Sequence, residues 1–256
     1  MKLLLLLLKN RDKVTDPLFN CGLIHLLLAL VLLTMLPFEQ RQVLGINLWI
    51  KPLKFALSIG IYCLSWVLIL PHLPDKKLER RFVRFTIFAM SFEILAIVTQ
   101  AARAELSHFN QSGWYNIAVY GLMGIVITAQ TLFSLYLGIT FFKNKPRELN
   151  EAMTWAIRLG IVISAIFALQ GGFIGQKMAH TVGAADGGAG IPFLNWSKDH
   201  GDLRIAHFFG LHALQIIPVF VWINKIKRAV PVMIFGLLYF LLVGFLFYHA
   251  LLGRGY

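Results

Sequence analysis

The sequence predicts an all-α fold, a polytopic bundle of seven transmembrane helices with the N-terminus cytoplasmic and the C-terminus outside. Three observations predict it. Hydrophobic residues make up 58% of the 256 positions and charged ones only 14%, whereas a soluble domain carries about a quarter charged. Mean hydropathy is +0.70, with seven apolar stretches each near the roughly 20 residues needed to cross the hydrocarbon. Finally, Lys and Arg crowd the connections on alternate sides, which orients the bundle.

Each element has its own justification. Met1-Lys2 and the run Leu3 to Leu8 begin like a signal peptide, but the run is short and ends in Lys9-Asn10-Arg11. A cleavage site needs small residues there, so 1–17 reads as a retained cytoplasmic leader. A single domain then covers 18–250, followed by a tail over 251–256. Its helices are expected over 18–36, 49–70, 83–103, 114–142, 153–175, 204–223 and 231–250. Pro52 and Pro231 sit near helix starts, where a missing N–H costs little, and Pro37, Pro71, Pro74 and Pro146 punctuate connections. Pro218 falls inside the sixth segment and should kink it by freeing the Leu214 carbonyl.

Fifteen Lys and Arg lie at the N-terminus and in the connections after helices two, four and six; eight lie on the other side, and Arg158 is inside helix five. The positive-inside rule places the richer side in the cytoplasm of a bacterial inner membrane. The formal charge of +12 is thereby explained by short basic loops that meet anionic lipid. It does not call for nucleic acid, since no soluble basic domain exists to bind it. Cys21 and Cys63 sit in expected helices without a C-x-x-C pattern, so nothing suggests a disulfide framework and packing is their expected role.

The longest connection, 177–202, lies on the outer side and contains the Gly-rich run 183–190. It lacks the Lys-Ser/Thr ending of a phosphate loop and reads as a flexible lid. Six of the eight histidines, His108, His180, His200, His207, His212 and His249, fall at this outer end. Histidine is costly near lipid and useful for ligation or proton transfer. Asp199 or Asp202 is expected to cap the sixth helix. His207 and His212 are five apart, about 140° around a helix, so each needs partners from other segments, with His249 and His180 as candidates. Their alternative role is to hydrogen-bond neighbouring helices.

A second constellation lies on helix three. Glu93 stands near its centre, Gln100 follows seven residues later on the same face, and Arg103 comes next. An ionisable residue at mid-membrane is a functional hypothesis by default; a structural hydrogen bond to a neighbouring helix is the bland alternative. Lys54, with Ser58 on its face, either snorkels to headgroups or faces inward to bind an anion. Helix four carries Asn116, Tyr120, Gly124, Thr131 and Ser134 at helical spacing, with Gln130 nearby. Helix five carries a stripe of small residues, Gly160, Ser164, Ala168 and Gly171 among them, suited to close packing.

Three stretches, Trp49-Ile-Lys-Pro-Leu-Lys-Phe55, Gln100 to Asn110 and His200 to Gln215, together resemble a family of bacterial polytopic membrane proteins that lends no established activity. Gln170-Gly-Gly-Phe-Ile-Gly175 is similar to the helix-ending Gln-Gly pattern of the haem A synthase family, with His207 following where a haem ligand sits. The chain departs from that family in having seven expected helices and no twofold repeat. The likeness implies haem as a cofactor and carries over no ligand set.

The leading functional expectation is an outward-facing histidine-rich site for a haem or transition-metal cofactor in membrane redox chemistry. His207, His212, His249 and His180 are its cofactor ligands, and His200, His207 and His212 the metal set. The alternative is a transporter or channel for a small solute or ion, with Lys54, Glu93, Gln100, Arg103, Arg204, Asp202 and Gln215 along the path. A third reading is a non-catalytic sensor or assembly factor. The expected partners are the lipid bilayer and a small molecule or ion at the outer face.

Overall fold

The computed structural model describes residues 12–144, 146 and 148–255. The leader expected over 1–17 lies mostly outside the described residues, as do Lys145 and Arg147. Eight α-helices and two short hairpins are present among the described residues. They form two compact units, one through Gln130 and one from Thr131, where a single domain is expected from the sequence.

In the first unit, Asp12 launches α1 (Asp16–Met35) by accepting hydrogen bonds from the Val14 and Thr15 amides, both at 2.9 Å. A 3₁₀ turn containing Pro37 ends it. A hairpin absent from the sequence reading follows, β1 (Gln42–Val43) antiparallel to β2 (Ile46–Asn47). Its turn residues Leu44 and Gly45 have φ of 52° and 74°, the positive values a two-residue hairpin demands. Asn47 then donates to the Leu36 and Glu39 carbonyls and accepts from the Trp49 amide, tying the hairpin to the start of α2 (Ile50–Ile69).

Helix α3 (Lys76–Ala102) begins seven residues before the expected 83. The cause is Asp75, whose carboxylate accepts from the Lys77 and Leu78 amides at 2.8 and 3.0 Å. That N-cap lets the basic run form helix although it is too polar for the hydrocarbon. The amide of Leu78, more than any other group, holds the Asp75 carboxyl below its ordinary range. Helix α4 (Trp114–Lys143) follows and carries the boundary between the units.

In the second unit, Asn150 caps α5 (Glu151–Lys177). The long outer connection is tied down at several points. Strand β3 (Thr181–Val182) pairs with β4 (Gly201–Asp202). Asp186 accepts from the His180 and Thr181 amides and lies 2.7 Å from His180 Nδ1. Asp202, fully buried, caps α6 (Leu203–Leu211) through the Arg204 amide, accepts from Ser197 N–H and pairs with the Arg204 guanidinium, which also reaches the Asn195 carbonyl. Of the two capping candidates, Asp202 is therefore the cap, and the expected lid has a hydrogen-bonded base.

Burial raises the Asp186 carboxyl, but the His180 ring and the two amides outweigh it and hold the carboxyl well below the ordinary range. The folded value thus lies below the unfolded one of about 3.9. This anchor is complete above that pH and is lost as pH falls toward the folded value. Hydrogen exchange of residues 180–186, corrected for intrinsic rates, is expected to show weaker protection at pH 3 than at pH 5. Asp186→Asn should lower protection about tenfold at pH 7, the effect of losing roughly 1.4 kcal/mol.

The sixth expected segment is two helices, α6 and α7 (Ala213–Ile223), bent by 48°. The break is at His212, not at the Leu214–Pro218 bond predicted from the proline. Pro218 remains inside α7, and the turn at His212 closes by a Gln215 N–H to His212 carbonyl bond of 3.0 Å. Helix α8 (Ala229–Leu251) completes the unit. Helix α5 packs on α6, α7 and α8 through Ala156, Ile163 and Phe167 against Ala206, Ala213, Ile217 and Val243. The small stripe on α5 permits this contact: a Cβ on Gly160 would stand 3.0 Å from the Ala213 carbonyl oxygen, and one on Gly171 2.8 Å from the His207 ring.

Among the described residues, six helices are long and apolar enough to cross a membrane, and the bent α6–α7 pair passes the same test together. Their outer surfaces carry large apolar side chains more than half exposed, among them Leu95, Ile125 and Leu241. Such contiguous apolar exposure suits lipid contact and not water.

Candidate functional site: a buried polar stripe on α3

Four polar side chains on α3 recur every seven residues: Glu79, Thr86, Glu93 and Gln100. All are buried, at 0%, 0%, 5% and 1% exposure. Seven residues make almost two helical turns, so the four share one face, drifting by only about 20° per step. The stripe rises about 32 Å at 1.5 Å per residue, with Glu79 in the polar first turn of the helix and Thr86 to Gln100 along about 21 Å of its apolar part. The intervening buried positions on α3 are Phe82, Val83, Ala89, Met90, Ile94 and Ile97, so polar groups are spaced within an apolar interior.

Each group has a defined setting. Glu79 stands 2.7 Å from Lys76 Nζ, which also reaches Asp12 at 3.2 Å. Thr86 Oγ1 accepts from Gln130 Nε2 at 2.9 Å, and the same Nε2 donates to Tyr62 Oη at 3.0 Å. Gln100 Nε2 donates to Asn116 Oδ1 at 2.8 Å, while its Oε1 accepts from Arg103 Nη1 at 2.7 Å. Arg103 lies over the Tyr115 ring, 4.5 Å from its centroid, and is exposed. Glu79 Oε1 and Glu93 Oε1 are both buried with no hydrogen-bond partner among the described residues, and Glu93 differs in having no cation paired with its other oxygen. A buried carboxylate in that state needs a proton or a cation to offset its lost hydration.

Of the expected path, the first unit thus holds Glu93, Gln100 and Arg103, with Lys54 half-buried on α2 and Ser58 exposed. Arg204, Asp202 and Gln215 belong to the second unit, where the first two tie the outer connection and Gln215 Oε1 faces His212 Nδ1 at 3.2 Å. Glu79 and Thr86 were not recognised from the sequence as members of this path. The signal was the seven-residue step from Glu93 to Gln100 repeated backwards, hidden because a helix starting at 83 leaves Glu79 in a loop.

The expected ligand histidines are not gathered into one set. His180 turns to Asp186. His207 Nδ1 donates to the Phe167 carbonyl at 2.7 Å. His212 sits in the bend against Phe208, with ring centroids 4.4 Å apart. His249 lies near the end of α8 beside Phe245, and the His200 amide is bonded to Ser197 Oγ. His108 belongs to the first unit, among Phe55, Phe109 and Tyr120. Neither His207, His212, His249 and His180 nor His200, His207 and His212 forms a shell: among the described residues no group of three or more His, Cys, Asp or Glu is placed to hold a metal ion. The physical reason is that His180, His207 and His212 turn to partners of their own, and the bend separates His207 from His212.

Fold and surface together define a multi-pass helical membrane protein. No family model, curated protein or solved structure matches the chain, so its chemistry has to be argued from these residues.

Proposed function

We propose that this is a seven-span protein of a bacterial inner membrane, N-terminus inside, that carries protons or a small cation along α3 with Glu93 as the mid-membrane binding group. The observation that carries the reading is the buried Glu93 carboxyl, with an unpartnered oxygen, in the middle of a stripe of buried polar groups along one face of α3. Only Glu79 and Glu93 of the four can exchange a proton or hold a cation by charge. Thr86 and Gln100 offer neutral donors and acceptors between and beyond them. Arg103 at the outer end, held by Gln100 and Asn116, sets a positive charge at one mouth. The test is proton and cation flux in proteoliposomes, comparing the native chain with Glu93→Gln.

A further inference from the structure

The second unit contains a separate cleft of about 530 Å³ between the end of α4 and the start of α5. That volume lies within the roughly 300–1,000 Å³ of small-ligand pockets. Its lining includes Lys143, the last residue of α4, and Thr154, Trp155 and Arg158 of α5, with Glu151 as its acidic member. Arg158 is the eighth residue of α5, about 10 Å along it, and the one charged residue between Glu151 and Lys177. An arginine at that depth is costly unless it finds a partner or reaches the interface.

The position of Arg158 is fixed. Nε donates to the Phe141 carbonyl at 2.8 Å. The guanidinium carbon lies 5.1 Å from the Phe142 ring centroid and 5.3 Å from that of Trp155. Two aromatic faces and one carbonyl therefore hold the planar group in place, while its Nη atoms make no hydrogen bond among the described residues. No carboxylate among those residues lies within ion-pair distance of it. Helical side chains lean toward the N-terminus, which brings Arg158 toward the basic connection and Lys143. A fixed guanidinium fork beside a flexible ammonium suits a phosphate group, and basic pockets between membrane helices recognise acidic headgroups.

We propose that this cleft binds the phosphate of an anionic phospholipid headgroup, with Arg158 as the orienting donor and Lys143 as the second cation. Trp155, in the second turn of α5, is of the residue type enriched where membrane helices meet headgroups. Glu151 at the same cleft disfavours a multiply charged free anion and leaves room for a singly charged diester. The net charge of the cleft from these three side chains is positive.

Native mass spectrometry and thermal unfolding of the purified full chain test this, with phosphatidylglycerol, phosphatidylcholine or inorganic phosphate added. Phosphatidylglycerol is expected to be retained and to raise the unfolding midpoint, and phosphatidylcholine to do neither. Arg158→Gln should weaken phosphatidylglycerol binding about tenfold or more, the value of one charge-assisted bond. Arg158→Lys should restore only part of it, because the fork is lost. Lys143→Gln, at an exposed helix end, should give a smaller loss and serves if Arg158→Gln does not fold. Equal phosphatidylglycerol affinity in native protein and both Gln variants overturns the site. An Arg158-dependent stabilisation by inorganic phosphate alone overturns the lipid assignment.

Discussion

Glu93→Gln is expected to cut proton or cation flux in proteoliposomes to near the level of empty vesicles, a fall of about tenfold or more for each 1.4 kcal/mol added to the barrier. Gln has almost the same shape and can still accept and donate hydrogen bonds, but it cannot exchange a proton or carry charge. The variant is expected to fold. Glu93 Oε1 has no hydrogen bond to lose, and a neutral amide is cheaper to bury than a carboxylate. Thermal unfolding should therefore show a midpoint no lower than that of the native chain. Glu93→Asp keeps the titratable group one methylene farther back and should retain part of the flux. Thr86→Val, which removes the Gln130 contact at 2.9 Å without removing a charge, separates the roles: it should slow flux less than Glu93→Gln while lowering stability. Native-level flux in Glu93→Gln would sink the reading, as would native vesicles no leakier than empty ones.

Much of the helical framework was legible because lipid imposes it. Long apolar segments between basic connections leave few alternatives, and six expected spans correspond to single helices. The ends were less legible. A cap such as Asp75 extends a helix beyond the membrane, where hydropathy carries no signal, and this displaced the start of α3 and hid Glu79. The bend at His212 escaped for a related reason: the proline rule marks the carbonyl that loses its bond, whereas the observed turn is closed farther upstream by the His212 carbonyl itself. The histidines show the limit of counting residues at one depth. Sequence places them near a common level but does not say toward which neighbour each ring turns, and Asp186, Phe167 and Gln215 claim three of them. Glu93 and Gln100 were legible because their spacing along one helix already fixes a shared face.

Packing between α5 and α6 leads to the second large effect. The small residues of α5 were visible in the sequence, but their counterpart on α6 was not, because a lone glycine in an apolar run has no periodicity. Gly210 is that counterpart. A Cβ built there falls deep inside van der Waals contact with Phe167 Cβ and Cγ. Rotation about χ1 of Phe167 cannot relieve the clash, since its Cβ is attached directly to the backbone. The α5–α6 contact must open, and Phe167 is a buried member of the second unit's core. Its carbonyl also holds His207, and the Phe209 carbonyl next to Gly210 accepts from Tyr239 Oη at 2.6 Å. Gly210→Ala is therefore expected to destabilise the protein by about 2–4 kcal/mol, the upper part of the range for overpacking. Gly172→Ala is the control, because a Cβ there meets nothing within 4 Å. Within a helix that exchange is neutral or favourable by up to about 1 kcal/mol. Denaturant unfolding in detergent should separate the two variants in opposite directions. Equal midpoints would mean that α5 and α6 do not approach as closely at Gly210 as described.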